Sequence, residues 1–345
     1  MIEVGIVGGG PAGAYCAYKL AENGIYPTIF DHSHPREKPC GGLISPLAQE
    51  LFPFLRKLPI DPIKRRVIYL VSPYGRRISV NLKKSEAICV SRLKFDQYLL
   101  TMALDKGAEL KREKVVDVQR KGKLWNIITA KSIYPVKKLV GADGVNSIVK
   151  KKVTTPFRNA DKGVCCGYYV ENLENEDISF HFLPHRKGYI WIIPRKDNTC
   201  VGIGCSEATH SKNLRKELDL FIKRNRPNTK IISKWAALIP NVKETGTLFS
   251  HVAGPNWVLI GDAAGHVNPI NGEGIPYALL GGELAAQAIA ENDMMLFEKL
   301  WRRAYGLNLL LGVKLRKWMY KRHILEVYCI YIKIRSAISG WMWAI

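Results

Sequence analysis

The sequence predicts an α/β fold: a parallel-sheet domain assembled from discontinuous segments, an antiparallel-sheet domain interleaved with it, and a helical segment at the C-terminus. Three observations predict it. Apolar strands running into glycine-rich turns recur near residues 8, 143 and 262, as strand–turn–helix units do. From Gly163 to Ile239 the texture changes to short strands rich in β-branched and aromatic residues. Beyond residue 296, basic residues interleave with Trp, Tyr and Leu in a helical pattern. The expected division is 1–62, 83–160 and 246–296 for the first domain, 63–82 and 161–245 for the second, and 297–345 for the helical segment.

Ile2-Glu3-Val4-Gly5-Ile6-Val7 reads as a buried strand feeding Gly8-Gly9-Gly10-Pro11-Ala12-Gly13 and then a helix, Ala14 to Ala21, closed by Asn23-Gly24. This is Gly-x-Gly-x-x-Gly between strand and helix, the context in which the motif binds a dinucleotide. Gly8 permits the tight turn, Gly10 admits a pyrophosphate, and Gly13 lets the helix pack against the strand. The next strand, Tyr26 to Phe30, ends in Asp31, near the spacing expected for a ribose-binding carboxylate. Strand, glycines, helix, strand and acid, in that order, make the unit Rossmann-like.

A second cradle has a different design. The strand Trp257-Val258-Leu259-Ile260 delivers Asp262 into the turn Gly261 to Gly265, and a helix begins near Ile275, after Gly272-Glu273-Gly274. Glycines let backbone approach a bulky ligand, helix-opening amides favour negative charge, and the aspartate accepts from hydroxyls. Two such sites at opposite ends of the chain suggest one long ligand gripped at both halves. Leu139 to Ser147, with Asp143-Gly144 at its turn, reads as a third strand end of the same site.

Between these signals, Ser91 to Asp96 opens an amphipathic helix with Phe95, Leu99 and Met102 near helical spacing. Lys114 to Val118 and Leu124 to Thr129 read as a hairpin. Ile178 to Phe182, Tyr189 to Pro194 and Thr199 to Gly204 form successive strands, with Tyr189, Trp191 and Ile193 on one face because the side-chain period is two. The sheet therefore has an aromatic wall, although core packing explains any single ring equally well. Leu214, Leu218 and Ile222 mark an amphipathic helix, and Cys165-Cys166 read as packing residues on opposite faces of a strand.

The net charge is +22, which attracts anionic surfaces: membrane headgroups, phosphorylated substrates or nucleic acid. No aromatic–basic nucleic-acid motif stands out, so no nucleic-acid partner is expected. No apolar run approaches the roughly 18 residues that span a bilayer. A strand beginning at residue 2 leaves no room for a signal peptide, and the eight cysteines lack a C-x-x-C spacing. The expectation is a reduced, cytoplasmic protein with no metal site.

Four features together resemble the FAD-dependent geranylgeranyl reductase family, within the p-hydroxybenzoate hydroxylase-like flavoproteins: Gly8 to Gly13, Pro39-Cys40-Gly41-Gly42, Tyr189-x-Trp191-x-x-Pro194, and Gly261 to Ile275. The resemblance spans roughly residues 1–300, judged by motif order. It implies FAD, with Gly8, Gly10, Ala12 and Gly13 at the pyrophosphate and Asp31, where the family commonly has glutamate, at the adenosine ribose. It implies that Cys40 and Gly41 border the flavin, that Arg92 contacts the cofactor, and that Val116 does so through backbone. Asp262 is implied at the ribityl chain, with Gly274 and Ile275 offering backbone groups to the isoalloxazine ring.

The reaction implied is saturation of isolated double bonds in geranylgeranyl chains, of a diphosphate or an archaeal-type membrane lipid, by hydride from reduced flavin N5 plus a proton. An isolated alkene has no carbonyl to polarise, so placement and exclusion of water must contribute heavily. Tyr189 and Trp191 are expected to wall the prenyl chain. Cys40 reads either as a thiol beside the flavin, delivering a proton or gating redox, or as a small residue filling a tight turn. Glu273 reads as support for its turn, with proton donation as the alternative. The electron donor is NAD(P)H or ferredoxin.

Residues 297–345 contain ten Lys or Arg and two acids, a net +8, with Trp301, Leu309, Leu310, Leu311, Trp318 and Trp341 among the apolar positions. That suits an interfacial helix in anionic headgroups, hence a protein held peripherally on the cytoplasmic face of a membrane; the alternative is a helical cap with a solvated basic face. Two rival functions share some of these signals. A flavin-dependent halogenase or aromatic hydroxylase fits the Tyr189 to Pro194 run, and a membrane flavoprotein passing electrons to a quinone fits the charge.

Overall fold

The strand Ile2–Val7 is the keystone of an eight-stranded sheet: it pairs in parallel with Ile133–Gly141 on one side and Thr28–Phe30 on the other. Strands buried on both faces carry unbroken apolar runs, and Ile6 and Val7, which point to opposite faces, are both buried. Trp257–Leu259 extends the sheet in parallel beyond Ile133–Gly141, and the hairpin Val115–Lys121 and Leu124–Thr129 joins its antiparallel part. This computed structural model describes residues 1–83, 85–171, 177–206 and 213–338, with side chains as far as Ile332, so the side chains of Lys333 and Arg335 and all of Trp341 lie outside it.

The chain divides into two units. The first comprises residues 1–36, 93–161 and 240–313 and contains the mostly parallel sheet. Its helices Pro11–Glu22 and Ile275–Ala290 lie in close contact because Gly282 has no side chain: a Cβ there would stand 2.7 Å from the Ala12 carbonyl oxygen. Helices can approach this closely only where one presents hydrogen in place of a side chain. Trp301, Tyr305 and Leu309, from the segment expected at the membrane, are instead buried in this unit. Trp301 stacks on Phe249 and sits beside His266, with ring centroids 5.7 and 4.5 Å away.

The second unit comprises residues 37–92, 162–239 and 314–345. Its seven-stranded sheet runs, from edge to edge, Ile231–Pro240, Lys162–Val170, Thr199–Cys205, Gly188–Pro194, Ile178–Phe182, Val67–Val71 and Arg77–Asn81. Ile178–Phe182 pairs in parallel with Val67–Val71, an exception to the antiparallel pairings beside it. Period-two alternation sorts the side chains: Cys165, Trp191 and Ile193 join one core cluster, and Cys166, Ile190 and Ile192 the other. Leu214, Leu218 and Ile222 of the helix Leu214–Asn225 cover the second face, whereas Cys329 and Ile332 of Arg322–Ile338 pack into the aromatic one.

The boundaries differ from those expected. Residues 37–62 and 83–92 group with the second unit because Leu43–Ile44, Ala87–Cys89 and Ile63–Arg65 form one small antiparallel sheet. Residues 297–313 group with the first unit through the Trp301 cluster, and 314 onward with the second.

Candidate active site

In the first unit, three sequence signals converge at the carboxyl ends of neighbouring parallel strands. Gly8, at φ +102°, abuts Ala142: a Cβ on Gly8 would lie 2.4 Å from the Ala142 carbonyl oxygen. A Cβ on Gly13 would lie 1.9 Å from the Gly8 carbonyl oxygen, and one on Gly261 would lie 2.9 Å from Ala12 Cβ. These glycines are required by the chain's own packing. Gly10 is different, because the nearest atom to a Cβ placed there would be Arg36 Nη2, 3.9 Å away. That open space is what a pyrophosphate passing close to the loop would need.

The helix that follows begins at Pro11 with neither a side-chain cap nor an acid in its first turn, so its leading amides are available to an anion. Arg36 adds a full positive charge beside Gly10, its Nε donating to Ser33 Oγ at 2.9 Å. Ser33 in turn donates to Asp31 Oδ1 through both hydroxyl and backbone N–H, at 2.6 and 2.7 Å, while Gly9 N–H donates to Oδ2 at 2.7 Å. Burial alone would raise the Asp31 carboxyl, but these hydrogen bonds outweigh it and hold the group below its ordinary value. Asp31 therefore pins the glycine loop as an anion, with acceptor capacity remaining on Oδ2.

Val116 occupies a bulge: the hairpin register runs from Asp117 opposite Ile128 to Val115 opposite Thr129 and skips it. Its backbone is thereby released from the ladder, as a backbone contact requires. Asp143, by contrast, caps a helix, accepting from Ile148 and Val149 N–H at 2.6 and 3.2 Å. Its strand end shapes the site through Ala142 instead. Asp262 lies in the turn Gly261–Ala263, where a Cβ on Gly274 would stand 3.4 Å from Asp262 Oδ1. Asn268 braces the loop, its Oδ1 accepting from Ile270 N–H at 2.9 Å, and Glu273 holds it through backbone, donating to Asn271 Oδ1 at 2.9 Å. Gly274 precedes the uncapped helix Ile275–Ala290. The cradle fits a dinucleotide: an open glycine, two uncapped helix starts, a loose arginine fork and two carboxylates.

In the second unit, the Pro39-Cys40-Gly41-Gly42 turn packs on the aromatic wall. A Cβ on Gly41 would meet Ile193 Cδ1 at 2.5 Å and Trp191 Nε1 at 3.4 Å. The Trp191 indole lies over the neighbouring strand only because Gly202 clears the space, a Cβ there coming within 2.3 Å of the ring. Tyr189 and Trp235 flank Trp191 at 5.8 and 6.0 Å between centroids, and Phe180 meets Tyr189 edge-on at 5.8 Å. Cys40 is partly exposed; its sulfur accepts from Gly42 N–H at 3.3 Å, and its carbonyl accepts from the Cys200 thiol at 3.4 Å.

The anchor of this turn escaped sequence reasoning. Glu37 accepts from Ser91 Oγ at 2.6 Å, Arg92 N–H at 3.0 Å and Arg195 Nη1 at 2.8 Å. Arg195 is fully buried, stacks 4.2 Å from the Tyr169 ring centroid and donates through Nε to Asn198 Oδ1 at 3.0 Å. Arg92, expected at the cofactor, is buried at the start of Arg92–Asp105. Arg36 was missed as well. The signals were faint: one acid two residues before Pro39, and basic residues directly after Pro35 and Pro194.

Residues 6–44 match the family described as NAD(P)-binding Rossmann-like domain. The chain is 27% identical to the digeranylgeranylglycerophospholipid reductase of Methanocaldococcus jannaschii, over 98% of this chain and 92% of that one. It is 30% identical to the chloroplastic geranylgeranyl diphosphate reductase of Nicotiana tabacum, over 85% of this chain and 67% of that one. Its fold matches a geranylgeranyl bacteriochlorophyll reductase-like protein of Thermoplasma acidophilum at a TM-score of 0.83 and 21% identity, covering 99% of this chain and 96% of that one.

Proposed function

The chain belongs to the geranylgeranyl reductase family of FAD-dependent oxidoreductases, and from that premise we propose that it saturates isolated carbon–carbon double bonds in geranylgeranyl chains of an isoprenoid diphosphate or an archaeal-type membrane lipid. The packing of Gly41 against Trp191 and Ile193 carries this reading, because it joins the two signatures that distinguish these reductases within one unit. When bound in its reduced form, FAD supplies the hydride.

In the first unit, the tight turn at Gly8, whose own N–H is taken by the Phe30 carbonyl at 3.0 Å, presents the amides of Gly10, Ala12 and Gly13, which with Arg36 hold the pyrophosphate, and Asp31 takes the adenosine ribose. Asp262 takes the ribityl hydroxyls, and the backbones of Val116, Gly274 and Ile275 complete the hold. In the second unit, Cys40, Gly41 and Arg92 take the ring side. Tyr189 and Trp191 wall the prenyl chain, excluding water and presenting aromatic faces to any transient positive charge. Burial of about 0.8 kcal/mol per CH2 makes the hydrocarbon the main source of binding energy. Cys40 is the candidate proton source. NAD(P)H or a ferredoxin reduces the enzyme, and the exposed face of the basic helix Leu307–Met319, within the segment 297–345, meets the lipid at an anionic membrane surface on its cytoplasmic face.

The test is anaerobic turnover of dithionite-reduced protein with a geranylgeranyl lipid, read by mass spectrometry. A gain of about two mass units per double bond supports the reductase, which requires no oxygen. Product formed only in air, or quinone reduction without alkene loss, contradicts it.

A further inference from the structure

The helix Leu307–Met319 is apolar on two opposite faces. Leu309, Gly312 and Val313 are buried together with Arg316. Leu307, Leu311, Leu315 and Trp318 recur every three or four residues, one stripe at 3.6 residues per turn, and are 65%, 42%, 38% and 57% exposed. A helix that only caps a core needs one apolar face. Single exposed leucines are ordinary, but four aligned large side chains form a patch. Exposed Lys314 and Lys317 flank it.

At the end of this helix the Lys321 ammonium lies 4.0 Å from the ring centroid of Trp318. Arg322, opening the final helix, lies 4.0 Å from the ring of Tyr74, whose hydroxyl is 3.2 Å from His323 Nδ1. Tyr74 is half exposed at the tip of the turn joining Val67–Val71 to Arg77–Asn81, beside exposed Arg76 and Arg77. Two elements far apart in sequence thus bring exposed aromatic rings and cations together within the second unit.

We propose that this elbow and the stripe beside it dock the protein on an anionic bilayer surface. Leu307, Leu311, Leu315 and Trp318 enter the boundary between headgroups and acyl chains, while Lys321 and Arg322 face lipid phosphates; Arg76 is paired with Glu326, 3.4 Å away, and ties the turn to the final helix. Charge complementarity selects this occupant: the chain carries +22 and the patch is ringed by cations, whereas a second copy would bring the same charge against it. No helix among the described residues is long and apolar enough to cross a membrane, so the contact is peripheral. The inference rests on the reading of a lipid substrate for its purpose, but it is measured without turnover.

The experiment is flotation of the full-length, FAD-loaded protein with vesicles of phosphatidylcholine alone or mixed with phosphatidylglycerol. Binding to the anionic vesicles is expected, weakening as salt rises. Leu311→Glu/Leu315→Glu and Lys321→Glu/Arg322→Glu are each expected to lower partitioning about tenfold or more, with flavin content and thermal midpoint kept. Wild-type protein that stays off anionic vesicles overturns the proposal, as do variants that bind equally. So does a wild-type dimer that ignores vesicles and dissociates on Leu311→Glu. Reduction of detergent-dispersed geranylgeranyl diphosphate is measured in parallel: its failure with vesicle binding intact contradicts the reductase reading alone.

Discussion

Arg195 shows how one side chain can govern a site it does not line. It is fully buried, and its charge is balanced by Glu37 and held by Asn198 and the Tyr169 face. Removing one partner of a buried ion pair costs about 3–5 kcal/mol because the other charge is stranded. Arg195→Ala is therefore expected to lower unfolding free energy by about 3 kcal/mol in urea titration, with Arg195→Lys losing less. Little of this was legible, since Glu37 lies 158 residues away and neither residue belongs to a motif. Trp191 was legible, because alternation fixed its face. For Cys40, Cys40→Ala is expected to retain flavin while alkene reduction falls about a hundredfold or more, the low end of the 10²–10⁴-fold that a positioned proton donor typically contributes. Normal reduction would restrict Cys40 to shaping its turn.

Among elements, the long apolar ones were the readable ones. The strand Ile2–Val7, the helices Pro11–Glu22 and Ile275–Ala290, and the aromatic strands all stand where periodicity placed them. Leu43–Ile44, Ile63–Arg65 and Ala87–Cys89 are two or three residues long, too short for a period to show, and their pairing moved the unit boundaries. The helices after residue 296 split their roles: Trp301 and Leu309 are core, whereas Trp318 faces out. Composition counts such residues alike. The turn Arg302–Gly306 places Tyr305 against His266, its hydroxyl 2.9 Å from Nδ1. Burial, aided by Lys150 and Arg302, pushes the His266 pKa down to about 3 from 6.5. The folded protein thus keeps this imidazole neutral while the unfolded chain takes up a proton below pH 6.5. Stability is expected to fall as pH drops from about 6.5 towards 3, by roughly 5 kcal/mol at about 1.4 kcal/mol per pH unit. Denaturation across that range checks it: His266→Phe should flatten the slope, and an unchanged slope would contradict the assignment.

At the scale of the whole molecule, the chain folds as two units whose segments alternate in sequence. The first brings glycine turns near residues 8, 142 and 261 together at one end of a parallel sheet, where open α/β sheets bind ligands. The second builds an aromatic wall cleared by Gly202 and faced by the Cys40–Gly41 turn. A nucleotide cradle and an apolar wall, together with family membership, support flavin chemistry on a hydrocarbon. The most direct measurement is an anaerobic single turnover, in which fully reduced protein meets excess geranylgeranyl lipid while flavin absorbance and product mass are recorded together. One flavin should reoxidise for each double bond saturated, at a rate set by the lipid and without oxygen. Flavin that stays reduced in the presence of lipid, or reoxidises with no gain in product mass, would contradict the account.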